Sequence, residues 1–329
     1  MLSGIEPILV LTVAASTPIL YAALGEIIAE RSGVLNLGVE GSMLAGGLVG
    51  FVVTVVTGSP TLGFVAGVLA GGALALVHGF LAISLHADQV ISGVMITLLG
   101  AGLTTYFGHG WVQENISGFA AKPVPLVGEY LVEIPLIGEA LFRNTAPDFL
   151  ALLLVPATWY FLTRTNIGLE IDAVGNDPAT ADTAGIKVAR TRYLCVLLGG
   201  LFAGAGGATI TLAFSQLWTS EIVAGRGWIA IALVIFAQWD PIKALFGAWF
   251  FGVIQAAQFY TQGTNVATSL PLSTELGSVY AVVFDPIIMS TYPYVATILV
   301  IVVVRYRQET AEQLGMPAAL LKPYLRGSE

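Results

Sequence analysis

The chain has 329 residues, 56% of them hydrophobic and 10% charged, where an average soluble domain carries roughly 25% charged residues to cover its core. With a mean hydropathy of +0.84, its natural solvent is lipid. There every backbone N–H and C=O must be paired internally, which leaves helices or closed barrels. Continuous apolar runs such as 151–156 and 298–304 exclude the alternating pattern of barrel strands. A net charge of −8 offers no basic patch for nucleic acid, and the single Cys195 excludes an internal disulfide or a thiolate metal cluster.

Windows of about 20 apolar residues, the length of a membrane span, lie near 8–28, 38–57, 61–85, 89–108, 148–163, 193–214, 226–239, 243–262 and 288–304. The reading is an all-α polytopic bundle of about nine spans forming a single transmembrane domain over 1–329. The seventh window is short enough to be a half-helix or a re-entrant piece. Residues 1–6 lack a basic leader, so the first apolar segment is expected to remain as a span. Most of the 38 glycines read as faces where helix backbones approach closely.

In chain order, the first polar cluster runs from Gly25 to Gly41. Glu26 and Glu30 are one helical turn apart with Arg31 beside them, an arrangement open to a buried ion pair or a plain turn. Asn36, Gly38, Glu40 and Gly41 suggest a glycine-broken segment, and near mid-membrane such segments line solute cavities. Residues 109–147 form a long loop with four prolines, Lys122 and Arg143 against four glutamates. After Arg164 comes a short capped helix: Asn176 or Asp177 as N-cap, Pro178 at the first helical position, Gly185 as the stop, and small residues such as Ala181 and Ala184 between. Ala224–Trp228 then places Arg226 between two glycines, either facing a ligand or reaching for the interface.

Basic residues set the expected orientation. Eight of 13 fall in 164–192 and 305–329, which the positive-inside rule makes cytoplasmic. Four spans separate the two, so they agree, and 109–147 is then external. No H-E-x-x-H, G-x-S-x-G or phosphate-binding G-x-x-x-x-G-K-[ST] motif is present, so no ATP hydrolysis through such a loop and no cofactor are expected on this chain.

Residues Glu30–Gly41 resemble the N-terminal signature of the shorter permease subunit of nucleoside importers of the ATP-binding-cassette (ABC) class. Val174–Ile186 with Arg190–Tyr193 is similar to that family's cytoplasmic coupling loop, and Gly225–Phe236 and Met316–Tyr324 follow in the same order. The resemblance spans nearly the whole chain. It implies a multi-pass protein of the prokaryotic cell membrane, paired with a second, homologous permease. It further implies ATP-binding subunits docking at Asn176–Gly185 and an external substrate-binding protein delivering nucleoside. The candidate path residues are Glu26, Glu30, Arg31, Asn36, Glu40 and Arg226. The alternatives are simple sugars or branched-chain amino acids as cargo, or an ion-gradient-driven carrier using the same glutamates.

Overall fold

The computed structural model describes residues 5–124, 128–264, 282–283, 285–289, 291–307 and 315–324. Helices dominate: α1 (Ile5–Arg31), α2 (Val39–Thr57), α3 (Pro60–Gly79), α4 (Gln89–Gly108), α5 (Gly128–Leu131), α6 (Gly138–Phe142) and α7 (Ala146–Arg164). They continue with α8 (Asn166–Asn176), α9 (Pro178–Thr183), α10 (Val188–Thr209), α11 (Arg226–Ala237), α12 (Pro241–Thr264), α13 (Pro286–Met289) and α14 (Tyr292–Arg307). Wider π turns extend α3 to Ser84 and α10 to Phe214.

Among the described residues, seven helices are long and apolar enough to cross a membrane: α1, α2, α3, α4, α7, α10 and α12. Their composition explains the all-α bundle, since helices satisfy their own backbone in lipid. The seventh expected span differs. α11 has 12 residues and rises about 18 Å, against a hydrocarbon core of about 30 Å. It is a half-helix. The ninth expected segment is divided into α13 and α14, and part of the tail expected at 305–329 lies outside the described residues. α10 begins five residues before its apolar window, because Arg190 and Arg192 are already helical although hydropathy cannot register them.

The centre is built from α1, α2, α3 and α10 at glycine-limited distance. A Cβ on Gly204 would come within 2.5 Å of the Gly67 carbonyl oxygen, and one on Gly46 within 2.5 Å of Gly204 Cα. Backbone against backbone is how helices pack where lipid supplies no hydrophobic drive. Around this contact Ile19, Leu24, Met43, Phe51 and Ile210 form the apolar core.

The bundle has two ends. At one, the described residues between His109 and Ala146 form a 3₁₀ turn, a short antiparallel ladder pairing Lys122 with Asn144 and Pro123 with Arg143, and α5 and α6. Phe119 N–H donates to Leu212 O at 2.8 Å, fastening this cap to α10. The opposite end carries Arg31, the turn after α3, α8, α9 and the strap 315–324. There Ala319 N–H donates to Gly175 O at 2.8 Å, and Tyr324 Oη donates to Asp182 Oδ2 at 3.1 Å.

Candidate functional site

Between α1 and α2 the helix is broken, and residues Ser32, Val34 and Asn36 are fully buried in irregular backbone. Such backbone survives away from water only if side chains pair it. Three neighbours do so: His78 Nε2 meets Leu35 O at 3.0 Å, Leu35 N–H donates to Gln89 Oε1 at 2.8 Å, and Thr97 Oγ1 donates to Leu37 O at 2.8 Å. Asn36 closes the turn itself, its Oδ1 accepting from Gly38 N–H at 2.9 Å. Asn36 therefore shapes the break from inside the protein.

The depth of this break follows from its antiparallel neighbour. Leu35 meets His78 and Gly50 abuts Gly63. Glu40 lies between those levels, beside the middle of the 25-residue stretch Pro60–Ser84. At that level α11 begins. Glu40 Oε1 accepts from Gly225 N–H at 2.8 Å and Oε2 from Gly227 N–H at 2.7 Å. A carboxylate here satisfies two of the N–H groups that a helix start leaves unpaired, and it faces the positive end of the helix dipole. The two glycine-punctuated segments of the sequence are thus in direct contact: a Cβ on Gly227 would come within 2.7 Å of Glu40 Cα.

Arg226 projects from the same helix start. Its Nη1 donates to Ile222 O and Val223 O at 3.0 and 3.1 Å, and its Nη2 donates to Gln255 Oε1 at 3.2 Å. With Glu221, Gln255, Gln258, Phe259 and Tyr294 it lines a cleft of about 450 Å³. Tyr294 Oη donates to Ala224 O at 2.9 Å, joining α14 to the same wall. Gln255 and Tyr294 escaped the sequence reading. The available signal for Gln255 was a polar residue inside the apolar stretch of α12.

The remaining path candidates are elsewhere. Arg31 does not pair with Glu26 or Glu30; it makes a bidentate ion pair with Asp172 of α8, Nε to Oδ1 at 3.0 Å and Nη2 to Oδ2 at 3.1 Å. The reason is position: Arg31 ends α1, and its guanidinium reaches outward to α8. Burial raises the Asp172 carboxyl above its ordinary value and Arg31 opposes this. Glu30 accepts from Trp239 Nε1 at 2.7 Å, and Glu26 is buried one turn away without a side-chain partner among the described residues. Neither glutamate lines the Arg226 cleft. Since Trp239 follows α11, that half-helix runs from the Glu40 level to the Glu30 level at the last turn of α1.

The capped helix expected after Arg164 is α9. Asp177, not Asn176, is its N-cap: Oδ1 accepts from Ala179 and Thr180 N–H, both at 3.1 Å. Asn176 ends α8 instead, and its Nδ2 donates to Asp172 O at 2.8 Å. Pro178 occupies the first turn, and Gly185 has φ +89° with Ile186 N–H closing on Ala181 O at 3.0 Å, a left-handed stop. Ala181 is turned inward against Val174 and Val188. Ala179, Thr180, Thr183 and Ala184 are the exposed residues. Hydrogen bonds from Thr180, side chain first, hold the Asp177 carboxyl below its ordinary value.

The chain is 56% identical over 317 residues, 96% of each chain, to a Haloferax volcanii protein provisionally named a glucose ABC transporter permease. It is 32% identical to the guanosine ABC transporter permease of Bacillus subtilis, over 93% of this chain and 94% of that one. It is 31% identical to the nucleoside ABC transporter permease of Lactococcus lactis, over 87% and 88%. These relatives set aside the gradient-driven alternative. No solved structure matches. A family model described as branched-chain amino acid transport system / permease component matches residues 8–304. The chain belongs to that family: it is a multi-pass permease subunit of an ABC transporter, a transport subunit rather than an enzyme, working in the prokaryotic cell membrane with ATPase and substrate-binding partners.

Proposed function

We propose that this permease forms one half of the path of an ATP-driven nucleoside importer, with a homologous second permease as the other half. The observation that carries the reading is the polar cleft of Arg226, Gln255 and Tyr294 at mid-depth in the bundle. Polar side chains at that depth mark solute pathways by default. The relatives named for guanosine and for nucleosides supply the cargo. The end bearing Arg31, Arg164, Lys187 and Arg190 faces the cytoplasm by the positive-inside rule, with α9 offered to the ATPase and residues 109–147 facing an external binding protein. A second reading, a free hexose, is favoured by the Haloferax relative's name.

The test is uptake by the complex reconstituted with its ATPase and binding protein, in a Cys195→Ala background. Labelled guanosine is expected to enter in an ATP-dependent way, with no competition from glucose; competition by glucose alone makes the hexose the cargo. A methanethiosulfonate reagent on Gln255→Cys is expected to block uptake. Full uptake after complete labelling removes the cleft from the path.

A further inference from the structure

A half-helix that starts at mid-membrane presents unpaired N–H groups and roughly half a positive charge, and in transporters that end commonly meets an anionic group of the solute. Here the protein fills the place itself. Glu40, on a different helix, spans Gly225 N–H at 2.8 Å and Gly227 N–H at 2.7 Å. It is 8% exposed. The fit is close on every side: Gly225 has φ +77°, and a Cβ on Gly227 would come within 2.7 Å of Glu40 Oε2. No solute anion can reach these amides without displacing the carboxylate.

Arg226, between the two bonded amides, points its guanidinium to Ile222 O, Val223 O and Gln255 Oε1. The other polar groups of the cleft are the neutral side chains of Gln255, Gln258 and Tyr294, with the Glu221 carboxylate exposed on its lining. An anion entering the cleft meets the Glu221 carboxylate on its lining and a guanidinium whose charge the buried Glu40 already offsets, and a cation meets Arg226.

We infer that Glu40 is the resident counter-anion of this path, fixing Arg226 at the cleft and restricting passage to uncharged solutes. The inference rests on the reading that the Arg226–Gln255 cleft lines the path. It excludes amino acids, whose carboxylate would compete with Glu40, and admits hydroxylated neutral rings. Glu40 is a positioning residue: it touches α11, and through it sets the charge that the solute encounters.

The test uses the reconstituted complex with thiocyanate as the anion probe and chloride as the ionic-strength control. Glu40→Gln keeps the side-chain shape, removes the charge and leaves Arg226 uncompensated. Uptake by this variant is expected to be inhibited by thiocyanate at about tenfold lower concentration than in the unmodified complex. Adding Arg226→Gln should restore the original insensitivity, which loss of structure alone would not do. Equal thiocyanate sensitivity in all three proteins overturns the inference. If Glu40→Gln does not assemble, Arg226→Gln alone decides: its capped helix is retained, and uptake should become sensitive to tetramethylammonium. Insensitivity overturns the inference. If reagent on Gln255→Cys fails to block uptake, the path reading falls and this inference with it. If the reagent blocks while the ion series stays flat, only this inference falls.

Discussion

Glu30 and Trp239 are 209 residues apart and joined by one hydrogen bond of 2.7 Å. The indole N–H is the one polar contact this buried carboxylate makes among the described residues, and its other oxygen has none. Removing a partner from a buried acceptor costs about 1–3 kcal/mol. Trp239→Phe is therefore expected to lower the thermal midpoint of the purified complex. Trp249 provides the contrast, because its indole nitrogen is buried without a partner among the described residues. Trp249→Phe should leave the midpoint nearly unchanged, and an equal drop for both would show that ring volume, not the bond to Glu30, decides. The turn-spaced pair Glu26 and Glu30 was legible in the sequence, since four residues bring side chains to one helix face. Trp239, their neighbour in space, was not.

Both ends of α9 are set by local chemistry. Its N-terminus rests on the Asp177 carboxylate and its C-terminus on Gly185 in the left-handed region. The Asp177 carboxyl is held low in the fold, so its contribution is present above the unfolded carboxylate value of about 3.9 and is lost as pH falls through the folded value. The amides of Ala179 and Thr180 are expected to lose hydrogen-exchange protection first as the solution is acidified; protection that persists after Asp177→Ala would deny the cap its role. For coupling, the inward Ala181 is unsuited as a probe, since a large side chain there would disturb Val174 and Val188. Ala184 is exposed, and Ala184→Trp should leave assembly intact while cutting both uptake and stimulation of the ATPase by loaded binding protein. Gly185→Val, which forces a β-branched residue to positive φ, should do the same. Loss of uptake with normal ATPase stimulation would assign coupling elsewhere.

For the whole molecule, orientation is the property with the widest consequence. Ser117 lies exposed in the cap at one end and Thr183 on α9 at the other. With Cys195 buried, background labelling is low. In intact cells an impermeant maleimide is expected to reach Ser117→Cys and not Thr183→Cys; the reverse pattern would invert the molecule and move α9 away from the ATPase. The short α11 matters at this scale too. Together with 215–225 it makes the return from the capped end, so the parity of crossings between the two basic regions is kept although one span is only half helical.

Several properties were determined by sequence alone. Hydropathy over windows of about 20 residues located all seven long spans, because burial in lipid acts on each segment separately. The glycines announced close packing, and Gly185 announced the stop of α9, because these are consequences of a missing Cβ at one position. Only tertiary structure decided that Glu40 caps α11, that Arg31 serves Asp172, and that Gln255 and Tyr294 complete the Arg226 cleft. Each of these joins residues from helices far apart in the chain. A carboxylate four residues from another reads the same in sequence whether it meets a guanidinium, an indole or the bare end of a helix. Which one it meets is set by how glycine-limited packing brings those helices to a common depth.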